Sequence, residues 1–304
     1  MNLRRASEAA GMTAAVAVAD RVPLAQAQAL AARAARRVFD WGGRRVEIVL
    51  ANLRIAFPDR SDAERREIGR ESFVQFGWNL IDVLRAQRWS REDYETRLRL
   101  EGLEHIEPWN REQRGIIALS LHLGNFEFLS PATALGGIRG AAVVRRMTNP
   151  AIYARIAAQR TRFGHQLIDN KNAVRGVLRA LRDGRMVAFL NDQYTRRSSR
   201  VFVPLFGARC ATSVGVAMLA LRTGAPVIPV YALREGPDRH VVRFEPALEF
   251  DVSGDRGRDV ELLTARCNAA IESIVRRYPQ QYMWGHRRFR YSPDLPGDPY
   301  PARS

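Results

Sequence analysis

The stretch Ile116-Ile117-Ala118-Leu119-Ser120-Leu121-His122-Leu123-Gly124-Asn125-Phe126-Glu127 decides the fold. Ile116 to Leu121 reads as a short apolar strand. A histidine falls just past it, at the carboxyl end, where ligand sites of open α/β sheets lie. Glu127 follows five residues later. On one straight helix that spacing sets two side chains about 140° apart, so they meet only if the chain turns between them. Gly124 permits the turn, and Asn125 is a fair N-cap for a following helix. His122 then sits in a loop and Glu127 in the first helical turn. A carboxylate there can hold one imidazole nitrogen and leave the other free to take a proton from a hydroxyl.

Outward from this stretch, strands and helices alternate. Ala141 to Val144, Met186 to Leu190, Val227 to Leu233 and Val241 to Phe244 read as strands. Phe126 to Leu135, Ala151 to Phe163, Ala173 to Leu181, Ser213 to Arg222 and Val260 to Tyr278 read as helices. Such alternation predicts an α/β domain with a mixed, largely parallel central sheet covered by helices. Upstream, Leu24, Ala27, Ala31, Ala34, Ala35 and Val38 recur at helical spacing, interleaved with Arg33, Arg36 and Arg37. This is either a packed helix with a solvated basic face or an interfacial helix on anionic lipid. Ser61 and Glu64 form a capping-box signature. The helix they open offers Ile68, Phe73, Phe76, Leu80, Ile81 and Leu84 as core candidates. The expected organisation is a helical N-terminal arm over 1–44, one domain over 45–292 and an irregular tail over 293–304.

The chain has 304 residues and a net charge of +16, and Lys171 is the only lysine among its 48 cations. A field of that sign attracts polyanions such as nucleic acid, anionic lipid or an acidic protein. Two cysteines, Cys210 and Cys267, make neither a disulfide scaffold nor a zinc site. The longest uncharged runs are about 12 residues, short of the roughly 20 that a spanning helix needs. Ala17-Val18-Ala19 resembles a signal-peptidase site, but the run before it has Glu8 at its start and little Leu or Phe. Nucleophile-elbow, P-loop, dinucleotide and H-E-x-x-H motifs are absent. Of five histidines, His105 and His240 read as surface residues and His286 sits among arginines. Only His122 has both an apolar strand before it and a spaced acid after it.

His122 to Glu127 resembles the H-x4-[DE] motif of the lipid A biosynthesis acyltransferases. Six further segments, in order, resemble the same family. They are Asn52 to Pro58, Gly102 to His105, Val144-Arg145 with Asn149-Pro150, Asp192-Gln193, Phe202 to Gly207 with Arg222 to Val227, and Gln281 to Arg288. Val144, Arg146 and Phe126 stand where the family usually has tyrosine, proline and tryptophan, and the family's frequent N-terminal membrane helix is represented by a short Ala-rich run.

The resemblance implies a glycerolipid-acyltransferase-like fold and transfer of a fatty acyl group from acyl carrier protein, or acyl-CoA, to a hydroxyl of an anionic lipid, a lipid A precursor. It implies His122 and Glu127 as the catalytic pair, Glu127 orienting His122. Arg145, Asp192, Gln193 and Asn125 are implied as substrate-binding residues, with Arg145 facing the oxyanion or a phosphate. Arg196, Arg197, Arg200, Arg287, Arg288 and Arg290 are further candidates for lipid phosphates. No metal or cofactor is implied. The site would work at the cytoplasmic face of the inner membrane, with the protein held peripherally at the membrane surface. Rival readings are an acyltransferase for a phospholipid, glycolipid or amino-acid lipid, a thioesterase, and a basic nucleic-acid-binding protein. Against the last, the charge is spread along the chain and no nucleic-acid-binding motif is present, so no nucleic-acid partner is expected.

Overall fold

β2 (Ile116–Ser120) is buried along its whole length, because both of its faces meet a hydrophobic core. A computed structural model describes residues 12–13, 15–19, 21–144, 148–195 and 199–301. The other strands are β1 (Leu98–Glu101), β3 (Gly140–Val144), β4 (Gln166–Asp169), β5 (Met186–Leu190), β6 (Arg200–Leu205), β7 (Ala208–Ser213), β8 (Val227–Arg234) and β9 (His240–Phe244). Seven form one sheet in the order β1-β9-β8-β2-β5-β3-β4. The block from β8 to β4 is parallel, and β9, with β1 parallel to it, runs antiparallel to β8. The sheet is therefore mixed and largely parallel.

Alternate residues of β2 feed opposite layers, as the two-residue repeat of a strand requires. Ile117 and Leu119 join the larger core with Val187, Val227, Leu263 and Ile271, while Ile116 and Ala118 join Ile138, Ile228 and Val242 on the other face. The helices are α1 (Leu24–Trp41), α2 (Arg44–Ala56), α3 (Asp62–Ala86), α4 (Arg91–Arg97), α5 (Glu107–Arg111), α6 (Leu129–Leu135), α7 (Pro150–Thr161), α8 (Ala173–Arg182), α9 (Gly215–Thr223) and α10 (Arg256–Arg277). Helix α1 packs along α3. The capping box read at Ser61 is formed, with Ser61 accepting from the Glu64 N–H and Glu64 accepting from the Ser61 N–H at 2.8 Å.

Four strands lack the expected signal. β1 and β4 have four residues each, and the sequence Leu-Arg-Leu-Glu of β1 carries two charges. They are the two sheet edges, where charged residues guard the unpaired backbone. β6 and β7 make a separate hairpin whose two-residue turn, Phe206-Gly207, has φ of 52° and 79°. Both turn residues being left-handed suits the twist of the flanking strands.

His240, read as a surface residue, is 1% exposed. Its Nε2 lies 3.2 Å from Oδ2 of Asp82 on α3, which also accepts from Arg234 on β8. Arg234 donates in addition to Asn79 Oδ1 at 3.1 Å and to the Pro237 carbonyl at 2.8 Å. Burial lowers the His240 pKa despite Asp82, so the imidazole stays neutral beside an Asp–Arg pair. The charged tone of the surrounding sequence hid an ion pair that ties α3 to the sheet. Removing one partner strands a buried charge, which typically costs about 3–5 kcal/mol. Asp82→Ala should lose about that much in denaturant unfolding. A loss below about 1 kcal/mol would show that the cluster does not bind α3 to β8 and β9.

Candidate active site

The chain leaves β2 through a tightly held loop. The Ser120 carbonyl accepts from the Asn191 N–H at 3.0 Å, which extends the β2–β5 register beyond its last pair, Ser120 and Leu190. Leu121 and Leu123 are fully buried and anchor the loop on both sides of His122. The His122 carbonyl accepts from the Met283 N–H at 3.0 Å, and the Gly124 N–H donates to the Gln281 carbonyl at 2.9 Å. Gly124 has φ of 51°, and a Cβ there would lie 2.2 Å from the Ala232 carbonyl oxygen. Only glycine meets both demands. The expected turn is thus present, followed by a 3-10 turn at Phe126–Phe128 and then α6.

The carboxylate that holds His122 is Asp192, not Glu127. Asp192 Oδ1 lies 2.8 Å from Nδ1 of His122, and its Oδ2 accepts the His122 backbone N–H at 3.1 Å. The Asp192 side chain is 1% exposed and that of His122 is 14% exposed. Burial opposes charge on both groups, but each stabilises the other. Asp192, with help from Glu127, holds the His122 pKa above its ordinary value against burial. Burial alone would raise the Asp192 pKa, but the charge and hydrogen bonds of His122 bring it down to about 2. With Nδ1 on Asp192, Nε2 is the nitrogen left for a substrate proton. Gln193 Nε2 lies 3.4 Å from Nδ1 and 3.3 Å from Nε2, so its amide rests against the ring. The Phe126 ring meets the imidazole edge-on at 4.9 Å between centroids.

Glu127 is engaged elsewhere. Arg160 of α7 clamps it with two bonds, Nε to Oε2 at 2.9 Å and Nη2 to Oε1 at 2.6 Å. Glu127 therefore acts on His122 through space, and the sequence expectation that it orients the imidazole is corrected. Five residues of a turning chain separate the two side chains, whereas β5 lies beside β2 and brings Asp192 directly under the ring. Arg160 was missed because its place is set by α7. Asn149 caps that helix by accepting from the Ala151 N–H at 3.1 Å.

Other sequence candidates fall as follows. Asn125 does not cap a helix. It is buried, and its amide donates to the Asn79 carbonyl at 3.3 Å and faces Asp82 Oδ2 at 3.5 Å, tying the loop to the α3 ion pair. Arg145, Arg196 and Arg197 lie outside the described residues. Arg288 is buried and donates to the Ala211 carbonyl and Thr212 Oγ1 at 2.7 and 2.8 Å, so it is a structural arginine and not a phosphate ligand. His286, its pKa pushed down to about 4 by burial, accepts from the Tyr194 N–H at 3.4 Å. Phe76 and Leu80, read as core, are more than half exposed. With Val83, Phe126 and Met283 they wall an apolar groove that opens on His122. A second groove, lined by Val49, Phe73, Phe76, Trp284, Arg45 and Gln193, adjoins it across Phe76 and Met283. Among the described residues no group of three or more His, Cys, Asp and Glu side chains could hold a metal ion.

A carboxylate-held histidine at the carboxyl edge of a parallel sheet, opening on an apolar groove, suits transfer of a long hydrocarbon group by base catalysis. The chain belongs to the bacterial lipid A biosynthesis acyltransferase family, whose profile matches residues 3–291. It is 30% identical over 259 residues to the lipid A biosynthesis lauroyltransferase of Escherichia coli K12, covering 83% of this chain and 81% of that protein. A lipid A biosynthesis acyltransferase of Haemophilus influenzae is 28% identical, with 83% of this chain and 80% of the relative covered. The palmitoleoyltransferase of Escherichia coli K12 is 26% identical, with 82% and 80% covered. The protein is an acyltransferase of lipid A biosynthesis.

The electrostatics give opposite signs for two variants. A histidine base works in its neutral form, so with His122 in that role kcat/KM would fall as pH drops through its pKa, which is raised above the ordinary 6.5. Asp192→Asn removes the charge that raises that pKa and leaves burial to lower it, so the acid limb should move to lower pH. Arg160→Met removes a cation that lowers it and leaves the Glu127 charge uncompensated, so the limb should move to higher pH. The pH dependence of kcat/KM for the two variants checks this, and shifts of the same sign would contradict the arrangement.

Proposed function

We propose that the protein transfers a fatty acyl group from a carrier thioester to a hydroxyl of a lipid A precursor, with His122 as general base and Asp192 as the residue that orients it. The acceptor hydroxyl gives its proton to His122 Nε2 while its oxygen attacks the thioester carbonyl carbon. The tetrahedral intermediate then expels the thiolate, which takes the proton back from the imidazolium. The observation that carries this reading is the 2.8 Å contact between buried Asp192 and His122 Nδ1, with the apolar groove beside the ring. Asp192 holds the tautomer in which Nε2 is unprotonated and stabilises the imidazolium that forms.

Glu127, clamped by Arg160, adds negative charge that favours the imidazolium from a distance. Gln193 and Arg145 are the residues assigned to the substrate, Arg145 toward the oxyanion or a lipid phosphate, where a guanidinium fork fits best. The groove bounded by Phe76, Leu80 and Val83 suits the acyl chain. The donor in this reading is acyl carrier protein, with acyl-CoA as the alternative, and the excess of cations favours an acidic donor. No described helix is long and apolar enough to cross a membrane. In this reading the protein meets its lipid acceptor peripherally, at the cytoplasmic face of the inner membrane. The exposed Leu30, Val38 and Trp41 would lie toward the lipid.

General-base catalysis contributes about 10²–10⁴-fold. His122→Ala should lose acyl transfer by that factor, with its unfolding transition unchanged. Mass spectrometry of the lipid product after incubation with acyl carrier protein thioester and a lipid A precursor bearing a free hydroxyl measures the loss. A folded His122→Ala protein of near-full activity would sink the mechanism. Free fatty acid as the main product at saturating acceptor would favour a thioesterase instead.

A further inference from the structure

Some arginines of this chain have acidic partners. Arg36, Arg70, Arg99, Arg111, Arg209 and Arg277 each reach a carboxylate within 3 Å. The arginines of α8 do not. Arg175, Arg179 and Arg182 are exposed and, among the described residues, make no side-chain hydrogen bond or ion pair. Their spacing of four and three residues aligns them as one stripe along the helix. The helix, Ala-Val-Arg-Gly-Val-Leu-Arg-Ala-Leu-Arg, contains no acid. Like charges at such spacing repel.

The stripe continues at both ends. Lys171, also exposed, precedes it by one turn, and at the far end Arg182 lines a polar cleft with Arg114 and Arg222. Its start lies at the working edge of the sheet. α8 follows β4, which is parallel to β2, so the helix begins at the edge where His122 and Asp192 sit. β4 is three strands from β2, about 14 Å at the usual strand spacing.

We infer that the outer face of α8 is the docking surface for an acidic protein, the carrier that presents the acyl thioester. The inference rests on the carrier-borne donor of the proposed function and adds where that carrier binds. Charge complementarity selects a protein over a lipid surface. A lipid-facing patch mixes cations with apolar side chains that enter the interface. That mixture is present on α1 and α2, where Leu30, Val38 and Trp41 are exposed beside Arg33, Arg37, Arg44 and Arg45. α8 exposes cations with Val174 as its one large exposed apolar residue. A polar row of guanidinium groups fits the carboxylates of an acidic helix and steers its approach. From there the acyl-bearing arm of the carrier reaches along the sheet edge toward His122.

The test is the double variant Arg175→Glu/Arg179→Glu, assayed with acyl carrier protein thioester as donor over a range of salt. KM for the carrier should rise about tenfold or more, its salt dependence should flatten, and kcat at saturating carrier should stay within about twofold. Arg175→Lys/Arg179→Lys should keep most of the affinity. A carrier KM equal to wild type would overturn the surface while leaving acyl transfer intact. A fall in kcat at saturating carrier, with KM unchanged, would mark a structural role and overturn it too. Loss of binding to phosphatidylglycerol vesicles with no change in carrier KM would assign the face to lipid and contradict the inference. Wild-type protein that uses acyl-CoA but not the carrier would refute the carrier donor itself, and the docking surface with it.

Discussion

One buried carboxylate holds the working end of this molecule together. Asp192 stands at the end of β5 and takes two bonds from one residue of the neighbouring loop, the backbone N–H and the imidazole of His122. A single carboxylate thus fixes both where the loop lies and how its ring is turned. The arrangement depends on β5 pairing with β2 in parallel, in the register that sets Leu190 beside Ser120. A slip of one residue would point Asp192 to the other face of the sheet. The apolar residues buried on both faces of β2 and β5 hold that register, so the large hydrophobic core acts on the chemistry through the sheet.

Around this contact the chain is braced from three sides. Gly124 lets the loop press against β8 where any other residue would collide. The segment after α10 runs beside the loop and bonds to His122 and Gly124 through Met283 and Gln281. From behind, Asn125 and Asn79 connect the loop to the Asp82–Arg234 pair, and Asn79 donates to the Gly124 carbonyl at 2.7 Å. The two ends of the His122 to Glu127 segment therefore have different partners. Its histidine belongs to β5 through Asp192, and its acid belongs to α7 through Arg160.

Much of this was legible in the sequence, because hydrophobic periodicity and turn residues report local structure directly. The five apolar strands, the helices between them and the Gly124 turn stand where those signals put them, except that Phe126–Phe128 is a 3-10 turn and Ser213 ends β7. Edge strands β1 and β4 escaped because they are short and polar, and the β6–β7 hairpin because its Phe206-Gly207 turn lacks the usual Asn or Asp. The site was harder to read for a different reason. Which carboxylate meets His122 depends on strand order, and a sequence lists neighbours along the chain, not across a sheet. Glu127 was near in sequence and Asp192 was near in space. The same limit hid His240, whose charged surroundings are a buried ion pair, and Phe76 and Leu80, whose helical stripe faces a groove instead of a core.

The central claim is that Asp192 holds His122 with Nδ1 protonated, Nε2 open and a raised pKa. Nitrogen-15 NMR of the imidazole reads all three at once. With uniformly labelled protein, titrated from pH 5 to 9 beside His122→Gln to assign the signal, the account predicts a midpoint above the ordinary value of 6.5. It also predicts that the neutral form carries its proton on Nδ1. A midpoint below 6.5, or a neutral ring protonated on Nε2, would contradict it.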